Sequence, residues 1–322
     1  MKNVYRPVGS GLDRPESVLA LKDGRVYASD RKRGVVRVLA QPTSQNPEPV
    51  VASSDFLPNG IALLADGTFL VANLGSEGGI WHLTEPNQIR PYRGLAGQTP
   101  AGSVGFVFPD SEGRIWMALT TKTQPRECAY RKSVADGAIA MINARGLVQI
   151  LATGLGFPNE VRVHPSGQWL YVTETFARRL TRFEISRSGE LSKKETVCQF
   201  GAGVWPDGFE FDTAGNVWVT SVVSNRLICV YPDGTAETFI SDCEESLVAG
   251  AEENFQADRF GLQDLAAGKT ATLGNVSSIA FAGPDRHTVY LGNLSNTCLT
   301  QWRSPTQGIE PLHWSYGPTV LD

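Results

Sequence analysis

The sequence repeats one short unit six times, and this repeat limits what the chain can fold into more than any other feature. Five copies contain a turn glycine that precedes a short apolar segment and follows another apolar segment. These glycines are Gly24, Gly67, Gly113, Gly167 and Gly215. A sixth copy, with a turn about two residues longer, runs through Ser277–Phe281 and Thr288–Leu291. Each copy predicts a β-hairpin.

Further apolar segments predict a third and a fourth strand in each unit, for example residues 35–39 and 49–51 in the first. Units of this size cannot bury their apolar faces alone. We therefore predict an all-β fold, a six-bladed β-propeller with four antiparallel strands per blade, as a single domain over residues 1–322. The blades start near residues 16, 59, 105, 159, 207 and 277. Residues 4–8 predict an outer strand that completes the last blade.

Two long connections interrupt the repeat, at residues 120–136 and 242–275. The first is basic. The second places Leu247, Val248, Ala251 and Phe255 at helical spacing and predicts a short helix. Both connections are interpreted as pocket edges or lids, with ordinary surface insertions as the alternative.

Composition excludes several classes of function. The 322 residues are 41% apolar, which is enough for a large core, and the net charge of −4 provides no basic surface for nucleic acid or anionic membrane. The five cysteines are odd in number and lack close pairs, and no apolar run reaches membrane-spanning length. We expect a cytoplasmic protein with a small-molecule partner and no nucleic-acid or membrane partner, whose oligomeric state the sequence leaves open.

The residues eight positions before the turn glycines, with their equivalent in the sixth copy, should form a ring at one mouth of the channel. They are Glu16, Asn59, Gly105, Asn159, Asp207 and Ser277. Carboxylate and amide oxygens suit a hard divalent cation, so Glu16, Asn59, Asn159 and Asp207 are predicted metal ligands, with Ser277 or water completing the shell. Ca²⁺ is the predicted cofactor, and Mg²⁺, Mn²⁺ and Zn²⁺ remain alternatives. Taken singly, each of these residues is also common in turns.

Several of these motifs resemble those of the senescence marker protein (regucalcin) and gluconolactonase family of six-bladed propellers. The resemblance covers almost the whole chain, and it is carried by residues 15–18, 157–161, 170–175 and 205–208. It implies that Glu16, Asn159 and Asp207 ligate a catalytic divalent metal, most often calcium, and that the activity is hydrolysis of a lactone or related ester. The family's third-blade Asn is replaced here by Gly105, a gap that Asn59 or water could fill.

Asp207 is the predicted catalytic residue. An ordinary aspartate pKa of about 3.9 would keep it ionised, so that it activates water or attacks directly, while Glu16 serves only as a ligand. None of the four histidines falls at the ring. The candidate substrate-binding residues are Trp205, Phe157, Arg126, Tyr130, Phe176, Phe255 and Ser277, with core packing as the equal alternative for Trp205.

Two other functions remain open from the sequence. The same polarising site could act on an organophosphate or an aryl ester. A non-catalytic propeller that uses its channel mouth for binding, with a structural metal, is the third hypothesis.

Overall fold

A computed structural model describes residues 5–38, 56–86, 88–92, 103–269 and 272–322. It shows six antiparallel sheets around a channel, which is the predicted six-bladed β-propeller. The strands before the third blade are β1 (Arg6–Val8), β2 (Val18–Ala20), β3 (Val26–Asp30), β4 (Gly34–Arg37), β5 (Pro58–Leu63), β6 (Phe69–Asn73), β7 (Ile80–Glu85) and β8 (Gln88–Pro91). The strand predicted over residues 49–51, which would complete the first blade, lies outside the described residues.

The remaining blades follow in chain order. The third and fourth consist of β9 (Val104–Pro109), β10 (Ile115–Leu119), β11 (Gly137–Ile142), β12 (Val148–Leu155), β13 (Pro158–Val163), β14 (Trp169–Glu174), β15 (Arg179–Ile185) and β16 (Leu191–Gln199). The fifth and sixth consist of β17 (Trp205–Phe211), β18 (Val217–Val222), β19 (Arg226–Val230), β20 (Ala236–Ser241), β21 (Val276–Ala282), β22 (Thr288–Asn293) and β23 (Leu299–Arg303).

The ring of blades closes at two places. Along the channel, each innermost strand contacts the next one, and β21 contacts β2. At the outside of the sixth blade, β1 pairs antiparallel with β23, with Arg6 opposite Gln301 and Val8 opposite Leu299. The N-terminal strand therefore completes the last blade, as the apolar alternation at residues 4–8 predicts.

The turn glycines of the repeat adopt the left-handed conformation that a hairpin turn requires. Gly24, Gly67, Gly113, Gly167 and Gly215 have φ values of 91°, 85°, 73°, 71° and 85°. A side chain would strain each of these turns. The regular spacing of these residues is thus a direct consequence of turn geometry.

The hydrophobic core is divided among the interfaces between neighbouring blades. Trp116 and Trp218 are fully buried, and each indole Nε1 donates to an aspartate, Asp110 at 2.7 Å and Asp212 at 2.9 Å. Trp169 of β14 is only partly buried. The blades therefore depend on their neighbours for burial, which is why the repeat predicts one closed ring.

The two long connections contain the helices of the described chain. Residues 126–129 form a short 3₁₀ helix. The second connection forms α1 (Glu245–Gln256) and α2 (Leu262–Ala266). Val248, Ala251 and Phe255 of α1 are buried, as their spacing predicts, whereas Leu247 is 44% exposed. None of the helices in the described part of the chain is long and apolar enough to span a membrane.

Candidate active site

The predicted ring residues meet at one mouth of the channel, which we call the ring face. Glu16, Asn59, Asn159 and Asp207 line a cavity of about 60 Å³ there, the inner cavity. Glu16 lies two residues before β2, the innermost strand of the first blade, and the others lie in β5, β13 and β17. Residues far apart in the chain thus converge because they occupy the same position in successive blades.

Hydroxyl groups of neighbouring strands hold the backbone at these positions. Thr175 Oγ1, just after β14, donates to the Pro206 carbonyl at 2.8 Å, and Thr173 of β14 donates to the Asp207 carbonyl. On the other side of the ring, Ser277 Oγ donates to the Glu16 carbonyl at 2.8 Å. Gly208, which follows Asp207, lets the fifth and sixth blades pack closely. A Cβ at this position would lie 2.5 Å from the Ser277 carbonyl oxygen.

Asn159 is oriented by Thr175. Because the Thr175 hydroxyl already donates its hydrogen to Pro206, it can only accept from the Asn159 Nδ2, which lies 3.2 Å away. This bond uses the amide nitrogen and leaves the Asn159 Oδ1 as the ligand-binding atom.

The two carboxylates of the inner cavity are buried, and the charge of Arg14 compensates for their burial only in part. Glu16 is 2% exposed and Asp207 is 4% exposed, and neither Glu16 Oε2 nor Asp207 Oδ1 has a hydrogen-bond partner in the described part of the chain. Burial, reinforced by the charges of Glu16 and Glu160, raises the pKa of Asp207 well above its ordinary value, although Arg14 opposes this. Burial likewise raises the pKa of Glu16. The expectation of an ordinary pKa for Asp207 is therefore wrong for the protein without a bound cation.

Arg14 is a site residue that the sequence analysis missed. Its guanidinium donates from Nη1 to the Pro58 carbonyl and from Nη2 to the Asn59 Oδ1, each at 2.9 Å. Its backbone adopts a left-handed conformation, with φ of 55°, just before the first innermost strand. Its position in the sequence could have indicated this role, because Arg14 lies in the connection that enters the first blade. In a propeller such connections lie on the ring face.

Asn59 makes two hydrogen bonds that bear on its predicted role as a ligand. Its Oδ1 accepts from Arg14, and its Nδ2 donates to the Gly105 carbonyl at 2.8 Å. Asn59 therefore links the second and third blades at the position where Gly105 lacks a side chain. Metal ligation by its Oδ1 stays a prediction.

The candidate substrate-binding residues divide into two groups. Arg126, Tyr130, Phe157 and Phe176 line the inner cavity. Trp205, Phe255 and Ser277 do not line it. Trp205 is fully buried, with its ring centroid 5.3 Å from that of Phe260, so the ring packs in the core. Ser277 is also fully buried, and its hydroxyl is bonded to Glu16.

An aromatic cluster joins both long connections to the cavity wall. Tyr130 stacks on Phe176 with ring centroids 4.7 Å apart, and Phe157 contacts both rings. Behind them, the Arg178 guanidinium lies 4.7 Å from the Trp205 ring centroid and 4.0 Å from that of Phe255. On the side of the fourth and fifth blades, the wall therefore consists of closely packed aromatic rings, with one guanidinium behind them.

The donor set fits a hard divalent cation better than a transition metal. Within the described ranges, no cluster of three or more His, Cys, Asp or Glu side chains is arranged as a metal site. A cation here would depend on amide as well as carboxylate oxygens, and no histidine lines the inner cavity. The two unpartnered carboxylate oxygens are what such an ion would satisfy.

Comparison with known proteins shows similarity over most of the chain. Residues 14–241 match the family model described as SMP-30/gluconolactonase/LRE-like region. A 6-deoxy-6-sulfogluconolactonase of Pseudomonas putida is 26% identical over 66% of this chain and 65% of its own length. A pentonolactonase of Haloferax volcanii is 25% identical over 58% of this chain and 51% of its own. The chain thus aligns with less than two thirds of either relative.

Solved structures share the fold across nearly the whole chain. A gluconolactonase from Xanthomonas campestris superposes with a TM-score of 0.65 at 17% identity, covering 94% of this chain and 90% of the other. A calcium-binding regucalcin from Agrobacterium tumefaciens superposes with a TM-score of 0.59 at 15% identity, covering 98% and 95%. At these identities the superpositions support the six-bladed architecture alone.

Proposed function

This chain belongs to the SMP-30/gluconolactonase/LRE-like family, and from that premise we propose that it hydrolyses lactones or closely related esters in the inner cavity. One observation carries the proposal. The unpartnered oxygens of Glu16 and Asp207 and the oriented amide of Asn159 line the same small cavity. The lactonase names of the aligned relatives support this class of reaction.

Glu16, Asn159 and Asp207 would hold a divalent cation, with Asn59 as the fourth predicted ligand. We propose Ca²⁺, because the donors are all oxygen atoms and a superposed regucalcin is described as calcium-binding. When bound, such an ion polarises a carbonyl oxygen and lowers the pKa of water. It would also favour the ionised form of the two buried carboxylates.

The side chains have distinct roles in this proposal. The Asp207 carboxylate accepts the proton of the attacking water, since its Oδ1 has no other partner in the described chain. Glu16 serves as a ligand whose backbone is held by Ser277. Tyr130, Phe157 and Phe176 form a wall that limits the access of bulk water to the reacting carbonyl.

The test is a hydrolysis assay on a panel of γ- and δ-lactones, phenyl acetate and a phosphotriester, with metal analysis of the purified protein. We expect lactone turnover that a chelator abolishes and Ca²⁺ restores. If phenyl acetate or the phosphotriester is turned over preferentially, the proposed substrate class changes from lactones to aryl esters or organophosphates. If no ester is cleaved with Ca²⁺, Mg²⁺, Mn²⁺ or Zn²⁺ restored, the catalytic proposal is wrong and a binding propeller with a structural metal remains.

Two further points belong to the proposal. A cytoplasmic location is supported by the five free cysteines, none of which forms a disulfide. A single domain over residues 1–322 is supported by the pairing of β1 with β23, which joins the N-terminal strand to the sixth blade.

A further inference from the structure

A second, larger cavity continues outward from the inner cavity on the ring face. This outer cavity has a volume of about 800 Å³. Arg14, Arg126, Leu265 and Leu294 line both cavities, so the two spaces share a wall. A substrate whose reacting end enters the inner cavity would extend its remaining atoms into the outer one.

The outer cavity is lined by an excess of cations. Five basic side chains line it, and no Asp or Glu is among its described lining residues. The five are Arg14, Arg31, Lys32, Arg126 and Lys269. Asp13 lies 3.7 Å from Arg31 Nε and 3.6 Å from Lys32 Nζ, and the charges of Glu16 and Asp207 act on Arg14 from the side of the inner cavity. The five cations outnumber these three carboxylates, so the lining of the outer cavity is net positive although the whole chain has a net charge of −4.

The two arginines nearest the inner cavity retain donors for a ligand. Arg14 uses one N–H of each terminal nitrogen on Pro58 and Asn59, and a guanidinium has five N–H groups. Arg126 contacts the Leu74 carbonyl at 3.4 Å through Nη1. Guanidinium groups with free donors recognise carboxylate, phosphate and sulfonate oxygens well.

We infer that the preferred substrate carries, besides its lactone ring, an anionic substituent that occupies the outer cavity among these cations. The shared chemistry is a distal oxyanion, whether phosphate, sulfonate or carboxylate. The inference rests on the proposed function, since it assigns the lactone to the inner cavity. The volume of about 60 Å³ there accommodates only the reacting end of such a molecule.

A different explanation of the basic residues is that they stabilise the carboxylate formed when any lactone opens. Arg14 and Arg126 could serve that purpose because they line the inner cavity. Arg31, Lys32 and Lys269 line only the outer cavity. Removal of these outer charges therefore distinguishes recognition of a distal anion from stabilisation of the reaction product.

The kinetic test compares glucono-δ-lactone with three analogues bearing a phosphate, a sulfonate or a carboxylate at C6. We expect kcat/KM to be higher for the charged analogues than for glucono-δ-lactone. This difference should decrease as the salt concentration rises, because salt screens the attraction between the anion and the basic side chains. The analogue with the highest value identifies the anion. Equal kcat/KM values for neutral and charged lactones at all salt concentrations would overturn the inference.

The matched variants are Lys32→Gln, Lys269→Gln and their combination, with Lys22→Gln as the control. Lys22 is an exposed lysine in the turn between β2 and β3, at the opposite end of the channel. Each outer variant should lower kcat/KM for the charged lactone roughly 2- to 5-fold, and the double variant roughly 10-fold. Values for neutral glucono-δ-lactone, and those of Lys22→Gln for both substrates, should stay unchanged. Equal losses for both substrates would favour product stabilisation instead.

Calorimetric binding of the ring-opened acids separates failure of this inference from failure of the proposed function. Gluconate and 6-phosphogluconate are titrated into the intact protein with Ca²⁺ present. Tighter binding of 6-phosphogluconate that weakens in the double variant would support the anion site even if no lactone is hydrolysed. Lactone turnover with identical affinities for the two acids would support the proposed function and contradict the anion site.

Discussion

Asn59 donates a hydrogen bond from Nδ2 to the carbonyl oxygen of Gly105, across the junction of the second and third blades, at 2.8 Å. The bond joins Asn59 to the one ring position that has no side chain. A Cβ added at Gly105 would lie 2.7 Å from the Thr120 Cγ2 and 3.3 Å from the Asn159 carbonyl oxygen. The departure from the family pattern at this position is therefore built into the packing of the third blade.

Gly105→Ala should test this packing. We expect a loss of about 1–3 kcal/mol in the free energy of unfolding, because the added methyl group overpacks a buried site. The measurement is denaturant-induced unfolding. Thr120→Ser removes the opposing Cγ2 and keeps the hydroxyl that donates to the Ser103 carbonyl. The double variant should recover part of the loss. Additive losses in the double variant would show that Thr120 is not the cause.

Asp207→Asn should lose catalysis without losing stability. The change removes the proposed proton acceptor, so we expect turnover to fall roughly 10²- to 10³-fold. It also removes a buried carboxylate whose Oδ1 has no hydrogen-bond partner in the described chain, so the metal-free protein should be at least as stable. Hydrolysis assays and thermal unfolding measure the two effects. Asp233→Asn, in an exposed turn, is the matched control, and full activity in Asp207→Asn would exclude its proposed role.

The ion pair between Arg178 and Glu252 should stabilise α1 against local unfolding. Arg178 donates to both carboxylate oxygens of Glu252, at 3.0 and 2.6 Å, and lies against Trp205 and Phe255. Glu252→Gln should speed amide exchange in residues 245–256 by roughly 10-fold or more, because it removes the charge of a partly buried pair.

The matched control for α1 is Glu195→Gln. Glu195 pairs with Arg182 at the surface, with side-chain exposures of 43% and 33%. Loss of such a pair should change the free energy of unfolding by less than about 1 kcal/mol and leave exchange in α1 unaltered. Unchanged exchange in Glu252→Gln would show that apolar packing alone holds the helix.

His313 should make stability depend on pH in the mildly acidic range. Burial lowers the pKa of His313 to about 4, helped by the charge of Arg162 and opposed by a hydrogen bond to the Ala20 backbone. Between pH about 6.5 and about 4 the unfolded chain binds a proton that the folded chain does not. The contribution of His313 to the free energy of unfolding should therefore decrease as pH falls through this window.

Denaturant unfolding of the wild type and of His313→Gln between pH 4 and pH 8 measures this effect. The difference between the two proteins should change across the window and level off above about pH 6.5. His164, whose pKa is also lowered by burial and is present in both proteins, cancels from the comparison. A difference that is constant with pH would contradict the assigned pKa shift of His313.

The sixfold repeat and the ring were predictable because both depend on local rules. A left-handed turn favours glycine, so Gly24, Gly67 and their equivalents mark each hairpin. Once the hairpins are aligned, the position of Glu16 or Asp207 relative to its turn glycine specifies the end of the channel at which it lies. The helix in the second long connection was predictable for the same reason, since Val248, Ala251 and Phe255 follow the period of a helix.

Only the tertiary structure decided which groups each ring residue contacts. Ser277 and Asn59 occupy equivalent positions but have different partners. The Ser277 hydroxyl is bonded to the Glu16 carbonyl, whereas the Asn59 amide is bonded to Arg14 and to the Gly105 carbonyl. Trp205 lies beside a ring residue in sequence but is enclosed by aromatic rings of the second long connection. The sequence by itself determined the repeat, the turns and the ring position of Asp207, because these follow from local backbone geometry. The tertiary structure decided the partners, the buried charge and the neighbouring cations, because these depend on contacts between residues distant in the chain.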